Sequence, residues 1–366
     1  MKILCIMTTI GYSGAPKMMS FLANSLFASG YDISLLTFYS DDDHQVLNNG
    51  IKRFALNVPR PNSTIQKVIC QIKIQARIFK TIKKSKPETV ICFSNLPSGI
   101  LLFLHYFVKA RIIISERGDP YLEKTKAMNW LRTQYRKADG VVFQTEGARK
   151  YFDKMNLKNT TIIPNPVTQA PIDQVKLQDR TNDIAFVGRF NIRQKRQDVY
   201  LQAFRETLKV YPFLTTTFYG EGEDMDKVKL LVKEMGLTNS VRFAGQVDNI
   251  CKVISASKMF VITSDFEGIP NSLIDAMLSG LPIVATDCSP GGAALLIKNN
   301  ENGLLVPCGD ISAISSAMCN IIMNPEKGQI MGKQAQDVAI RFSPNEIIRL
   351  WIEEIDKVKQ QSLSLY

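Results

Sequence analysis

Histidine is nearly missing. Only His44 and His105 stand in 366 residues, so a zinc centre built on imidazole has few ligands to draw on. The seven cysteines, at positions 5, 70, 92, 251, 288, 308 and 319, are odd in number, and no pair has metal or redox spacing. That argues against a disulfide scaffold and for a reducing compartment. Long apolar runs are missing too: the longest, Ile100 to Val108, contains His105 and falls well short of the roughly 20 residues that span a bilayer. The opening run Met1 to Met7 passes directly into Thr8-Thr9 and reads as a strand, not a secretory leader. A soluble or peripheral protein is expected. No internal repeat or low-complexity segment appears.

Acid is also absent from one long stretch. From Ile51 to Pro87 there are ten basic residues and no Asp or Glu. Residues 1–170 hold 24 Lys+Arg against 11 Asp+Glu, and the remainder 21 against 23, so the whole net charge of +11 originates in the first half. A polyanion or an anionic membrane is the natural partner of such a face. Otherwise the composition is that of a globular protein, 45% hydrophobic and 22% charged, with length enough for two domains.

What is present alternates between two periods. Apolar runs at Lys2–Thr8, Ile33–Tyr39, Glu88–Phe93, Arg111–Ser115 and Gly140–Gln144 read as strands separated by helical patterns, the repeat of a parallel sheet. A second set follows at Ile184–Val187, Thr216–Tyr219, Val241–Gly245, Met259–Thr263 and Pro282–Ala285, after a polar stretch from Thr168 to Asn182 that reads as a linker. The spacing predicts a basic amphipathic helix over Gln66–Ser85, with Val68, Ile69, Ile72, Ala76, Phe79 and Ile82 as its apolar stripe. It either simply covers the sheet or also rests its basic face on anionic lipid, and the two are compatible. The run Ser40-Asp41-Asp42-Asp43-His44 after an apolar strand admits a cation site, but a solvated acidic turn is preferred because the run comes very early in the chain and the second half holds another candidate anion site.

That second-half site lies in Lys258–Asp310, a strand–loop–helix–strand unit. Its loop carries Ser264, Asp265, Glu267 and Gly268, and a helix opening at Ile269 or Pro270 offers free N–H groups to an anion such as a diphosphate. Glu267 and Asp275 are eight apart, on roughly one side of an element that turns helical between them. They are either ligand contacts or two solvated acids at the ends of a surface loop.

The stretch resembles the nucleotide-sugar signature of glycosyltransferase family 4, a run like S-x-x-E-G-x-P-N-x-x-x-E-A-M-x-x-G-x-P-V. Here it stands as Ser264, Glu267, Gly268, Pro270, Asn271, Asp275, Ala276, Met277, Gly280 and Pro282, and continues through Thr286-Asp287-Cys288 and Asn302 to Pro307. The second acid departs from the pattern: Asp275 is one methylene shorter than Glu. Gly188-Arg189 with Lys195 resembles the family's V-G-R…K motif, and Gly11 with Gly14 a variant of its glycine-rich first loop. Gly220 and Gly222 resemble a loop passing near the base, as does Phe243 on its short strand. Many members carry a histidine where this chain has Glu116-Arg117.

The resemblance implies an α/β protein of GT-B architecture, two Rossmann-like parallel-sheet domains facing a cleft, with a C-terminal helix crossing back to the first. The expected boundaries are 1–168 for an acceptor domain, 169–182 for the linker, 183–342 for a donor domain and 343–366 for the last helix. It implies a retaining transfer of a hexose or N-acetylhexosamine from a nucleotide-diphospho-sugar, UDP being favoured, to a lipid-linked or growing saccharide in surface-glycan synthesis. Glu267, Arg189 and Lys195 would be catalytic. Gly14, Gly188, Gly220, Gly222, Phe243, Gly268, Ile269, Pro270, Asn271, Ser272 and Asp275 would line the donor, and Ser94, Asn95, Glu116 and Arg117 are acceptor candidates. No metal, cofactor or nucleic acid is expected. The expected location is cytoplasmic, peripheral on the inner leaflet through basic residues 52–86. An epimerase on the same architecture and a non-catalytic module for anionic glycans are the alternatives.

Overall fold

The computed structural model describes residues 1–10, 14–39, 45–58, 64–93, 98–99, 101–102, 105–122 and 125–363. Ser94, Asn95, the acidic run 40–44 and the Gly11–Ser13 part of the first loop lie outside them. The chain divides into two compact units, Met1–Pro166 with Asn345–Tyr366, and Val167–Pro344.

Among the described residues the first unit holds seven parallel strands: β1 Lys2–Met7, β2 Asp32–Thr37, β3 Lys52–Ala55, β4 Thr89–Phe93, β5 Arg111–Glu116, β6 Gly140–Phe143 and β7 Thr160–Ile162. They lie in the order β3-β2-β1-β4-β5-β6-β7. The second unit holds six: β8 Asp183–Val187, β9 Thr215–Tyr219, β10 Val241–Gly245, β11 Met259–Ile262, β12 Ile283–Thr286 and β13 Leu304–Val306, in the order β10-β9-β8-β11-β12-β13. Helices cover both faces of a sheet of this kind, so its central strands read as unbroken apolar runs; every residue of β4, β11 and β12 is buried. Each sheet has the order of a doubly wound fold, which reverses direction between β1 and β4 and again between β8 and β11. Ligands bind such sheets beyond the carboxyl ends of the strands at the reversal.

The stretch read as a linker runs along the second unit. Arg180 donates to the carbonyls of Ser257 and Gly280, and Gln174 to those of Gly280 and Gln329.

One expectation needs correction. The helix Thr64–Ser85 forms, but it buries Cys70, Ile74, Ile78 and Ile82. Of the stripe expected from sequence, Ile82 is buried as expected, but Ile72 is 61% exposed, Ala76 is exposed and Phe79 half-buried, and the side chains of Val68 and Ile69 lie outside the described ones. Two apolar sets at helical spacing share this segment, and the set at i, i+4, i+8, i+12 wins the sheet.

The terminal helix Pro344–Leu363 belongs to the first unit, where Ile347, Trp351, Ile355 and Val358 form its buried stripe. Trp351 stacks on Phe93 at 5.7 Å. Glu354 lies on the same face, 2% exposed, and accepts the Thr161 hydroxyl at 2.5 Å. Burial raises its pKa above the ordinary 4.5. A raised carboxyl contributes stability that is present below the unfolded pKa and lost as pH rises through the folded one, so at neutral pH the charge is a burden. Glu354→Gln, which keeps an acceptor for Thr161, is expected to stabilise the protein at pH 7.5 by on the order of 1 kcal/mol. The gain should disappear near pH 4 in thermal melts; an equal gain at both pH values would show that the charge is not the cause.

Candidate active site

Beyond the carboxyl end of β8 the chain turns through Gly188, Arg189 and Phe190. The neighbouring β9 turn presses directly on it. A Cβ on Gly220, whose φ is +128°, would lie 2.4 Å from the Gly188 carbonyl oxygen, and one on Gly222 would lie 2.4 Å from that of Phe190. Only glycine permits this approach. A short helix, Ile192–Lys195, follows, with Asn191 as N-cap accepting from the Gln194 N–H at 2.9 Å.

Lys195 ends that helix and points at the next loop. Its Nζ is 2.5 Å from Glu267 Oε1, with both side chains only 11% exposed, and the Ser264 hydroxyl donates to the same oxygen at 3.0 Å. Arg196, in left-handed backbone at φ 50°, fixes the approach by pairing with Asp265 at 2.8 Å and Asp198 at 3.1 Å. Thr263 donates to the carbonyls of Lys195 and Arg196, and Gln194 to that of Phe266. Arg189 is exposed, and among the described residues its guanidinium has no hydrogen-bond or ion-pair partner. The carboxyl ends of β8 and β11, the strands flanking the reversal, therefore carry one open guanidinium and one ammonium–carboxylate pair.

The loop after β11 is held from behind. Thr286 donates to the Ser264 carbonyl at 2.6 Å, and the Glu267 N–H to that of Ser289 at 2.7 Å. Gly292 packs against the loop so tightly that a Cβ there would lie 1.4 Å from the Gly268 carbonyl oxygen. Gly292→Ala is therefore expected to displace the Glu267-Gly268 peptide and, on the role the resemblance implies for that loop, to raise the KM for a nucleotide-sugar roughly tenfold, a change of about 1.4 kcal/mol. Donor titration with a parallel thermal melt checks this; unchanged kinetics would mean the loop does not meet the donor.

The helix Asn271–Leu278 starts after Pro270, which supplies no side-chain cap, so its first N–H groups are open to an anion. Asn271 is exposed, and Gly268, Ile269 and Ser272 are half-buried around this turn. Asp275 is also half-buried and accepts from the Cys251 thiol at 3.5 Å, so the two acids have separate partners. Phe243 stacks on Phe218 at 5.5 Å, and Gly14 opens the helix Gly14–Ala28 of the first unit. Burial first, and then the nearby carboxylates Asp275 and Glu267, push the Cys251 and Cys288 thiols up to about 12, so neither serves as a thiolate. Among the described residues no three His, Cys, Asp or Glu side chains group to hold a metal.

In the first unit, Glu116 ends β5 but is 1% exposed. It accepts from Tyr135 at 2.9 Å and lies 3.6 Å from the Nε of the fully buried Arg132. Arg117 stacks over Phe93 at 4.7 Å and donates to the Ile163 carbonyl and Asn165 Oδ1, and burial lowers its pKa to about 9. Sequence reasoning placed Asp265 in the loop but gave it no role, and missed Gln194, Arg196 and Gly292. Of these, only the Gly291-Gly292 pair after an apolar strand gave a usable signal.

Residues 181–324, which contain Arg189, Lys195, Glu267 and Asp275, match the family model described as Glycosyl transferases group 1. The protein carries a group 1 glycosyltransferase domain. This glycosyltransferase is 24% identical to the GalNAc-alpha-(1->4)-GalNAc-alpha-(1->3)-diNAcBac-PP-undecaprenol alpha-1,4-N-acetyl-D-galactosaminyltransferase of Campylobacter jejuni, across 98% of this chain and 99% of that one. Its fold is similar to the lipopolysaccharide outer core galactosyltransferase WaaB in its apo form, with TM-score 0.81 and 19% identity over 98% and 99% of the two chains. Anabaena Alr3699/HepE, solved with UDP, gives TM-score 0.78 at 15% identity over 98% and 100%. The architecture is GT-B, and the chain is an enzyme of the transferase class.

Proposed function

We propose that this glycosyltransferase moves a hexose or N-acetylhexosamine from a UDP-sugar, with retention, onto a lipid-linked or growing saccharide during surface-polysaccharide synthesis. The observation that carries this reading is the Lys195–Glu267 pair beside the open Arg189, set beyond the carboxyl ends of β8 and β11. Arg189 and Lys195 hold the leaving diphosphate, a planar fork and a point charge. The open helix end at Asn271 adds its dipole. Glu267 takes the donor sugar hydroxyls and Asp275 the ribose. The bond from the anomeric carbon to the diphosphate oxygen breaks as the acceptor oxygen bonds to that carbon on the same face. The acceptor's proton passes to a donor phosphate oxygen, so no protein nucleophile is required. Relatives named for an undecaprenol-linked glycan and for the lipopolysaccharide core support the acceptor class.

Incubating the purified chain with UDP-, GDP- and ADP-sugars and a membrane extract, then weighing the products, tests this. Acceptor-dependent transfer from a UDP-sugar is expected. An isomerised donor would indicate an epimerase and no turnover a binding module, and either would overturn the proposal.

The acceptor is brought to the basic first unit at the inner face of the membrane. On the helix Thr64–Ser85, Ile72 stands exposed near Lys73 and Arg77. Phe79 on that helix meets Phe107 edge-on at 6.3 Å, and Tyr106 and Phe107 are 82% and 69% exposed. Apolar and aromatic tips among lysines suit an anionic lipid interface. Among the described residues no helix is long and apolar enough to cross a membrane, so adsorption is the mode proposed. Replacing Tyr106 and Phe107 by serine is expected to lower flotation with phosphatidylglycerol vesicles several-fold, and added salt to lower it further. Binding indifferent to lipid charge, salt and these two residues would defeat the membrane claim.

A further inference from the structure

A pocket lies along the sheet of the second unit, reaching the Gly220 turn only through Tyr219. It has a volume of about 460 Å³, within the range of small-ligand sites. Asp183, Thr215 and Thr217 share one face of β8 and β9, with Arg242 beside Thr217 on β10. Asp183 and Arg242 thus stand two strand spacings and two residues of register apart, about 12 Å between their backbones. The Thr215 and Thr217 hydroxyls donate to Asp183 Oδ1 at 2.7 and 3.1 Å. This leaves the other oxygen of that carboxylate without a partner among the described residues. Arg242 is exposed and likewise has no ion-pair partner among them. Tyr219 closes one side, and Phe213, 85% exposed, forms the rim. Asp183 and Thr215 begin their strands and Tyr219 ends β9, so the pocket runs along one face of the sheet from its amino end, where its charged floor lies, to the residue before Gly220.

We infer that this pocket binds a short neutral oligosaccharide of hexose or N-acetylhexosamine units, as a secondary site that retains the growing glycan. A sugar presents hydroxyls along its edge and C–H groups on its face. The pocket offers a free carboxylate oxygen as acceptor, a guanidinium as donor and two threonine hydroxyls that, with their hydrogens given to Asp183, act as further acceptors. The exposed Phe213 ring supplies an apolar surface for the C–H face. Asp183 and Arg242 together leave the pocket without net charge, so a phosphate gains no advantage there over a neutral sugar. The inference rests on the proposed glycan acceptor, but its test does not depend on turnover.

Saturation-transfer NMR on the full chain, with maltotriose and chitotriose as probes and UDP in excess to fill the donor site, tests it. Transfer to at least one probe is expected to persist under UDP and to fall at least fivefold in Phe213→Ala and in Arg242→Ala. Transfer abolished by UDP, transfer indifferent to both variants, or none to either probe would each overturn the inference. Measured alongside, both variants should transfer sugar to a short acceptor at the normal rate and lose efficiency on a long one. Failure of transfer in the unmodified chain would instead overturn the proposed function, leaving the binding result to stand separately.

Discussion

Alanine at Lys195 is expected to cut kcat/KM for sugar transfer by roughly tenfold or more, the loss of one preorganised transition-state contact. The ammonium is held for this task by a short helix capped by Asn191, by Arg196 in left-handed backbone pinned to Asp265, and by Thr263 beneath it. Such positioning matters because a charge that is already in place costs no reorganisation as the diphosphate departs. The rival reading is a pair that only braces two loops. Because both partners are largely buried, removing either leaves the other uncompensated, and stability falls in both readings. A double-mutant cycle separates them. If Lys195 and Glu267 merely brace, Lys195→Ala with Glu267→Ala should regain stability and most of the activity. If they contact leaving group and sugar, the double variant stays at least as slow as either single one. Near-normal turnover in Lys195→Ala would remove that residue from the site.

How far the sequence announces this site depends on which interactions are local. The alternation of apolar strands and helical patterns is a property of consecutive residues, and it led directly to two parallel sheets. The acidic loop and the unpartnered helix end after Pro270 are equally local, because each reflects a turn or a cap, whereas the glycines at 220 and 222 are required by the distant turn at Gly188 and Phe190 and were placed only by resemblance. The helix Thr64–Ser85 shows where local pattern fails. Two apolar sets fit the same period, and only packing against the sheet decides that Ile74 and Ile78 go in while Ile72 stays out. Contacts between distant turns were equally hidden. Arg196 meets Asp265 across 69 residues of chain, and Gly292 is required by the carbonyl of Gly268. Nothing in their immediate neighbours states either partner. Glu116 looked like a strand-end acid available to an acceptor, because a sequence does not show that Arg132 and Tyr135 close over it.

Arg132→Met is expected to destabilise the protein by about 3–5 kcal/mol, the cost of leaving a buried carboxylate without its cation. Arg132 is fully buried, donates to the Pro120 carbonyl at 3.2 Å, and faces Glu116, itself 1% exposed. Set against a total stability of about 5–15 kcal/mol, that loss is a large fraction and should be plain in a thermal or denaturant melt. The double variant Glu116→Gln with Arg132→Met should recover most of it, since a buried ion pair can be replaced by neutral groups of similar volume at little net cost. Burial without a cation favours the neutral carboxyl, so the gap between Arg132→Met and the unmodified chain should narrow as the pH is lowered from 8 towards 5. Denaturant melts across that range measure it; a gap independent of pH would assign the loss to packing rather than to the bared charge. The same variants decide what Glu116 does. As part of the framework, Glu116→Gln changes stability and leaves the acceptor KM alone. Were it an acceptor contact, the KM would rise in a protein that melts normally, and the enclosure of its carboxylate by Tyr135 and Arg132 argues for the first result.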